Sequence, residues 1–208
     1  MLLYDALWGM FLTLLVSAGI AISRLVKVRY LSRKIVHIFV GIAGLFVPFV
    51  FSSLIVPLTI CLAYAIAIFH FRRAGRLEWM EIEGSSGEIY FALMLPLLLA
   101  ATWSFDIWLG VTVLSYMAFG DGITGFVRYY RVGHRGKHVA GSIAMLLTST
   151  LLGGAIYGYA HGFSGMVSGV VGGIAATIAE RFELVDDNVS IPAVSLPIIV
   201  LAKLALGF

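Results

Sequence analysis

Asp121 stands in the run Tyr-Met-Ala-Phe-Gly-Asp-Gly-Ile-Thr-Gly at residues 116–125, late in a stretch long enough to cross a bilayer. An ionised carboxylate at such a depth costs about 2.5–3.5 kcal/mol on insertion scales, so it calls for a cation, a metal ion or water. Gly120 and Gly122 flank it and leave room for a neighbouring backbone or a phosphate to come close. An aspartate that only caps a short helix at the interface is the structural alternative. A dozen residues on, residues 128–141 read Arg-Tyr-Tyr-Arg-Val-Gly-His-Arg-Gly-Lys-His-Val-Ala-Gly, and Ser142 follows. Glycines interleaved with Arg, Lys and His suit a phosphate cradle. A helix opening at Gly141–Ser142 would add free backbone N–H groups and the positive end of its dipole. Taken alone, the segment reads equally well as a basic loop lying against anionic lipid heads.

Three smaller groups complete the candidates. Asp186-Asp187-Asn188 offers two carboxylates and an amide, hard oxygen donors of the kind that magnesium shares with substrate phosphates. An Asx turn opening the next helix uses the same residues. Lys34 and His37 are three apart and share one helix face, where the lysine can reach a phosphate and the histidine can bond or pass a proton. Glu88, two residues before Tyr90, is a candidate base or a partner for a helix N-terminus. No GxxxxGK[ST] phosphate loop occurs.

The elements that must position these groups are membrane helices. Of the 208 residues, 61% are hydrophobic and 12% charged, half the charged share of an ordinary soluble domain. Apolar runs predict about eight spans, at residues 2–22, 35–51, 53–71, 89–103, 106–127, 142–160, 163–179 and 191–206. Pro48, Ser52 and Ser53 must then make a tight turn between the second and third. No basic segment precedes the first run, which reads as a helix and not as a leader. The single Cys61 excludes a disulfide framework and a CxxC metal pattern. Gly154, Gly158 and Gly162, then Gly165 and Gly169, recur every four residues, a spacing that lets helices pack closely in lipid.

Loop charge orients these spans. All of the 14 Lys and Arg residues except Lys203 fall in the loops after spans 1, 3, 5 and 7 or at their borders. That side is expected to be cytoplasmic, with both termini on the other side. All of the 11 acidic residues except Asp5 and Asp106 gather there too, which orientation does not require. The net charge of +3 is therefore a matter of topology, and nucleic acid is not an expected partner. The expected architecture is one all-α, polytopic transmembrane bundle over residues 1–208, with its chemistry at the cytoplasmic boundary.

The pieces Arg33-Lys34-x-x-His37, Gly87-Glu88-x-Tyr90, Gly120-Asp121-Gly122, the basic glycine loop through Lys137 to Gly141-Ser142, and Asp186-Asp187-Asn188 before Ile191-Pro192 occur in this order over most of the chain. The combination resembles the CTP-dependent polyprenol kinases, which include dolichol, phytol and diacylglycerol kinases. The resemblance implies transfer of the γ-phosphate of CTP, or another nucleoside triphosphate, to the hydroxyl of an isoprenoid lipid alcohol, with Mg²⁺ or Mn²⁺. It implies a metal held by Asp121, Asp186 and Asp187, and a nucleotide lined by Gly120, Gly122, Thr124, Arg135, Lys137, Gly141, Ser142 and Asn188. Asp121, Glu88, Lys34 and His37 would carry the chemistry. The chain departs from the family at Ala140, where an acidic residue is usual, and at Thr124, where alanine is common. CDP-lipid synthases, which use CTP to transfer a cytidylyl group, share part of the pattern and are the nearest rival. A transporter is the rival from another class, although no internal repeat is visible.

Overall fold

A computed structural model describes residues 1–133, 136–182 and 185–208, and among them every regular element is a helix. The helices are α1 (Leu2–Arg24), α2 (Arg29–Val50), α3 (Ile55–Arg73), α4 (Gly87–Thr102), α5 (Ile107–Ser115), α6 (Asp121–Val132), α7 (Val139–Phe182) and α8 (Asp187–Leu206). A π-helical turn, Tyr116–Gly120, joins α5 to α6 without a break. Among the described residues, six stretches can cross a membrane by length and composition: α1, α2, α3, the continuous α5–α6 rod, α7 and α8, with α4 a shorter apolar helix. In hydrocarbon the backbone has no water to bond, so helices that close their own hydrogen bonds are the expected solution. The chain is thus a helical protein of membrane-spanning character.

Burial ranks the helices. The most apolar window of the α5–α6 rod is 72% buried and that of α2 56%, against 17–28% for α1, α3, α7 and α8. The rod and α2 therefore form the centre, and the others turn rows of Leu, Ile and Phe outward. Helix α2 begins at Arg29, six residues before the predicted span. The extension places Arg33, Lys34 and His37 inside the helix, on the same buried face as Val40, Gly44 and Val47. That face meets the rod at Gly41, beside Ala118, and at Gly44, beside Leu114.

Helix α7, 44 residues long, folds back on itself where His161 (φ −128°) and Gly162 (φ +65°) leave the helical region. Only glycine adopts the Gly162 conformation without strain. The two arms then pack antiparallel through small residues. A Cβ added at Gly153 would stand 2.5 Å from the Gly169 carbonyl oxygen, and one at Gly173 would stand 2.7 Å from the backbone of Ser149. The glycine spacing in the sequence is the seam of this hairpin.

The two acidic residues that stood apart from the rest tie the opposite end together. Asp5 accepts hydrogen bonds from Ser52 N (3.1 Å), Ser52 Oγ (2.9 Å) and Ser53 N (3.2 Å), and so caps the α2–α3 turn. Asp106 caps α5 by accepting from Leu109 N, and it also accepts from Tyr157 Oη and Lys203 Nζ, both at 2.7 Å. His161 Nε2 lies 3.1 Å from the same carboxylate. One carboxylate thus joins the start of α5, the α7 turn and the end of α8. Burial opposes its ionisation, but Lys203, Tyr157 and His161 together outweigh this and hold the carboxyl below the usual carboxylate range.

Two outcomes follow for stability in detergent, both readable by thermal denaturation. Gly169→Ala, which forces a methyl against the opposite backbone, lowers stability by about 1–3 kcal/mol, whereas Gly154→Ala, whose nearest neighbour is the Val170 side chain at 3.1 Å and whose nearest backbone atom is Met166 O at 3.8 Å, costs less. Asp106→Asn costs about 2 kcal/mol at pH 7, between an exposed pair and a fully buried one. A carboxyl held low in the folded state stabilises at every pH above its unfolded value and stops doing so as pH falls through the folded one. The gap between wild type and Asp106→Asn therefore narrows below about pH 4.

Candidate functional site

Asp121 opens α6, and the π turn decides where it points. Its N–H bonds to Tyr116 O, five residues back, and Tyr116 Oη donates to Gly169 O at 2.5 Å, anchoring the turn on α7. Such a wide turn rotates the following residues relative to a plain α-helix. Here it delivers the carboxylate to α2, where Lys34 Nζ meets Asp121 Oδ2 at 2.5 Å and His37 Nδ1 stands 3.4 Å from the same oxygen. The side chains of all three are at most 3% exposed. The face-sharing of Lys34 and His37 is what lets one carboxylate engage both. The His37 ring stacks on Phe91 of α4 at 3.8 Å and 7°, and its Nε2 is buried without a hydrogen-bond partner.

A second group gathers around Lys137, just before α7. Its Nζ donates to Glu180 Oε1 at 2.9 Å and to both oxygens of Asp187 at 2.7 and 2.8 Å. Glu180 also pairs with Arg128 of α6. Burial disfavours the Lys137 charge, but Asp187 and then Glu180 more than compensate and hold its ammonium above the usual lysine range. The Lys34 side chain lies against Gly125 of α6, one turn before the Arg128 that pairs with Glu180, so the two groups adjoin along α6.

A third group lies at the start of α4. Glu88 is paired with Arg72 and stands 3.6 Å from Arg33. Arg33 Nη1 donates to Ser85 Oγ at 3.1 Å, and Arg72 Nη2 to Ser85 O at 2.9 Å. Asn188 Nδ2 donates to Gly87 O at 3.1 Å, while a Cβ on Gly87 would come within 2.8 Å of both Arg33 and Asp186. The N-terminus of α8 therefore joins the second group, through Asp187, to the third, through Asp186 and Asn188.

The expected site residues sort by what they touch. Asp121, Lys34, His37, Lys137, Asp187 and Asn188 come together at one end of the bundle. Glu88 joins them as the carboxylate that pairs through Oε1 with Arg72 and lies 3.6 Å from Arg33, its Oε2 buried without a hydrogen-bond partner. Asp186 Oδ1 accepts from Asn188 N (3.0 Å) and Nδ2 (2.7 Å), the Asx turn that opens α8. The glycines are spacers between helices. Gly120 faces Met145 and Ser149 of α7, Gly122 faces Ile38, and Gly141 lies against the Arg128 side chain. Thr124 spends its hydroxyl on Gly141 O at 3.3 Å. Helix α7 starts at Val139, three residues before the predicted span, so Ser142 N is already bonded to His138 O at 3.1 Å and is not a free donor. Arg135 lies outside the described residues. Among the described residues no three His, Cys, Asp or Glu side chains are grouped to hold a metal ion.

Sequence reasoning passed over Glu180, Arg128, Arg33 and Arg72 as individual site residues. Glu180 carried a signal: it continues the buried row Gly165, Gly169, Gly172, Ala176 of α7, where an acid is out of place. It places a carboxylate beside Lys137 although position 140 is alanine.

Thermal denaturation separates the members of the Asp121 pair. Lys34→Met leaves a buried uncompensated carboxylate and costs about 3–5 kcal/mol, while Lys34→Met combined with Asp121→Asn recovers most of that loss; equal losses in the single and double variants would show that the pair is not coupled.

No protein-family model, no curated protein and no solved structure matches this chain.

Proposed function

We propose that the chain is an integral membrane kinase that transfers the γ-phosphate of CTP, or of another nucleoside triphosphate, to the hydroxyl of an isoprenoid lipid alcohol. The observation that carries this reading is the Lys34–Asp121–His37 constellation. It is buried at the charged end of an apolar bundle and adjoins a second lysine–carboxylate pair, Lys137–Asp187. Phosphoryl transfer needs cations around the phosphates and a carboxylate near the acceptor, with little covalent work from the protein. Lys34 is buried and Lys137 half-buried, and each is neutralised by a carboxylate of the kind that shares a divalent cation with a nucleotide.

The donor chemistry fits Mg²⁺ or Mn²⁺ arriving with the nucleotide. Asp121 and Asp187 would hold it, with the buried, unpartnered Oδ1 of Asn188 as a third oxygen. Such an ion supplies charge neutralisation for the transferring phosphoryl group. Lys34 and Lys137 then turn from the carboxylates to phosphate oxygens, and Arg128, oriented by Glu180, adds a third cation at the same place. Both acids considered as base are ion-paired, and Asp121 is favoured because it lies beside His37 against the apolar interior. His37 stands 3.4 Å from the Asp121 carboxylate and, stacked on Phe91, borders the apolar interior.

In this reading the eight-span topology stands, with α7 counted as two spans and both termini on the non-cytoplasmic side. The charged end faces the cytoplasm, where nucleotide is available, as the Lys and Arg distribution favours. The lipid alcohol reaches the site from within the bilayer.

Purified protein given CTP labelled at the γ-phosphate, magnesium and a C20 isoprenoid alcohol is expected to put label on the lipid. Asp121→Asn lowers that rate at least 10³-fold. Label leaving in pyrophosphate would establish cytidylyl transfer and overturn the kinase reading.

A further inference from the structure

Between α1, α2, α3, α4 and α5 lies a cavity of about 380 Å³ with no charged residue in its wall. On α2 its wall runs from Val40 to Val47 and ends at Phe51, about 16 Å of helix axis, half the thickness of a bilayer's hydrocarbon core. Its inner end is set by Val40 and Leu95. These are one helical turn from His37 and Phe91, the two rings stacked beside Asp121. On the lipid side it is bordered by Thr13 and Ala63, both exposed, so it opens laterally between α1 and α3.

A native core rarely keeps so much unfilled apolar space, because each lost contact costs stability. An apolar cavity of about 150 Å³ stays dry and admits benzene, roughly 25 Å³ for each carbon. At that ratio 380 Å³ takes on the order of fifteen carbons. One hydrocarbon chain of that size fits, and two long acyl chains do not. The wall's apolar character, its depth and its end beside the buried, unpartnered Nε2 of His37 agree on one kind of occupant.

We propose that this cavity binds the tail of a single-chain lipid, with its polar head at the His37 end and about fifteen carbons enclosed, any longer chain leaving between α1 and α3. The identity of the head group as an alcohol rests on the kinase reading; the tail site does not. It makes the protein selective for one-chain over two-chain lipids and insensitive to chain length beyond the enclosed carbons.

The test is photo-crosslinking of the full chain in nanodiscs with a C15 isoprenoid alcohol carrying a diazirine near its tail end, without nucleotide, and with mapping of the labelled peptides. Labelling is expected on α2 and α3 between Val47 and Cys61. Unlabelled C15 alcohol should compete at least tenfold better than C5, and within threefold of C20. Dioleoylglycerol should compete at least tenfold less well than C15. Labelling confined to the outward faces of α7 and α8, as an annular lipid would give, overturns the proposal, as does equal competition by dioleoylglycerol. Cys61→Trp fills the cavity and should reduce labelling at least tenfold in protein whose thermal stability is unchanged. The expected labelling without phosphate transfer from any nucleotide keeps the tail site and removes the kinase reading. Phosphate transfer to the alcohol with no labelling of the cavity does the reverse.

Discussion

An ionised Asp121 inside a bilayer-crossing rod is tolerable only because Lys34 meets it at 2.5 Å. In a medium of low polarity a single buried charge is far more costly than a matched pair. Much of the central architecture can be traced to that need. Helix α2 must start early enough for Lys34 to be helical. Its buried face must carry glycines so that it can approach the rod, and Gly125 must leave space for the lysine chain, since a Cβ there would stand 2.7 Å from Lys34 Cε. The π turn then sets the carboxylate's direction, and Tyr116 pins the turn to the α7 hairpin. Loss of any one of these leaves a charge without its partner.

The same rule recurs in the other groups. Lys137 is shared by Glu180 and Asp187, and Glu88 is shared by Arg33 and Arg72. Lysine and arginine at one end of a membrane protein serve orientation, and solvated loops would have sufficed for that. Instead much of the charge is folded inward and paired across α2, α3, α4, α6, α7 and α8. Paired charges can exchange partners at little net electrostatic cost, whereas unpaired ones cannot. A site that must accept a polyanion and its counter-cation, and later release them, gains from starting in a neutral and internally matched state. At the other end Asp5 and Asp106 act as caps that fix turns, and Asp106 is paired with Lys203 and faces His161.

What the sequence made legible was the part written in strong local signals. Apolar runs located the helices, and loop charge separated the two ends. An aspartate in an apolar rod drew attention because its charge is costly there, although a helix cap at the interface was the structural alternative. The three-residue spacing of Lys34 and His37 correctly put both on one face. Less visible were features set by packing between distant segments. The glycines around Asp121 suggested room for a neighbouring backbone or a phosphate; they face Met145, Ser149 and Ile38 of neighbouring helices, and nothing local distinguishes a glycine that admits a ligand from one that admits a helix. Helix starts were misplaced because charged residues such as Arg33 and Lys34 end an apolar run without ending a helix. Glu180 was counted with the loop acids, since its burial depends on the arms of α7 closing. The cavity could not be foreseen at all: empty space between five helices is a sum of small misfits, and no single residue records it.

The placement of His37 joins these features into one argument. Its Nδ1 faces Asp121, its ring lies flat on Phe91, and one turn further along each helix the wall becomes wholly apolar. The charged network and the hydrocarbon cavity are thus separated by the depth of about one ring. If the two reactants of the proposed transfer differ as widely in polarity as a nucleotide and a lipid alcohol, neither can enter the other's medium without a large desolvation cost. The reaction can then occur only where the two media touch through a group compatible with both. An aromatic ring with a polar edge meets that condition, and a lysine or an aspartate alone does not. Under the proposed transfer, the two reactants would meet along α2, which carries Lys34, His37 and Val40 in successive turns, from the Asp121 pair to the cavity wall.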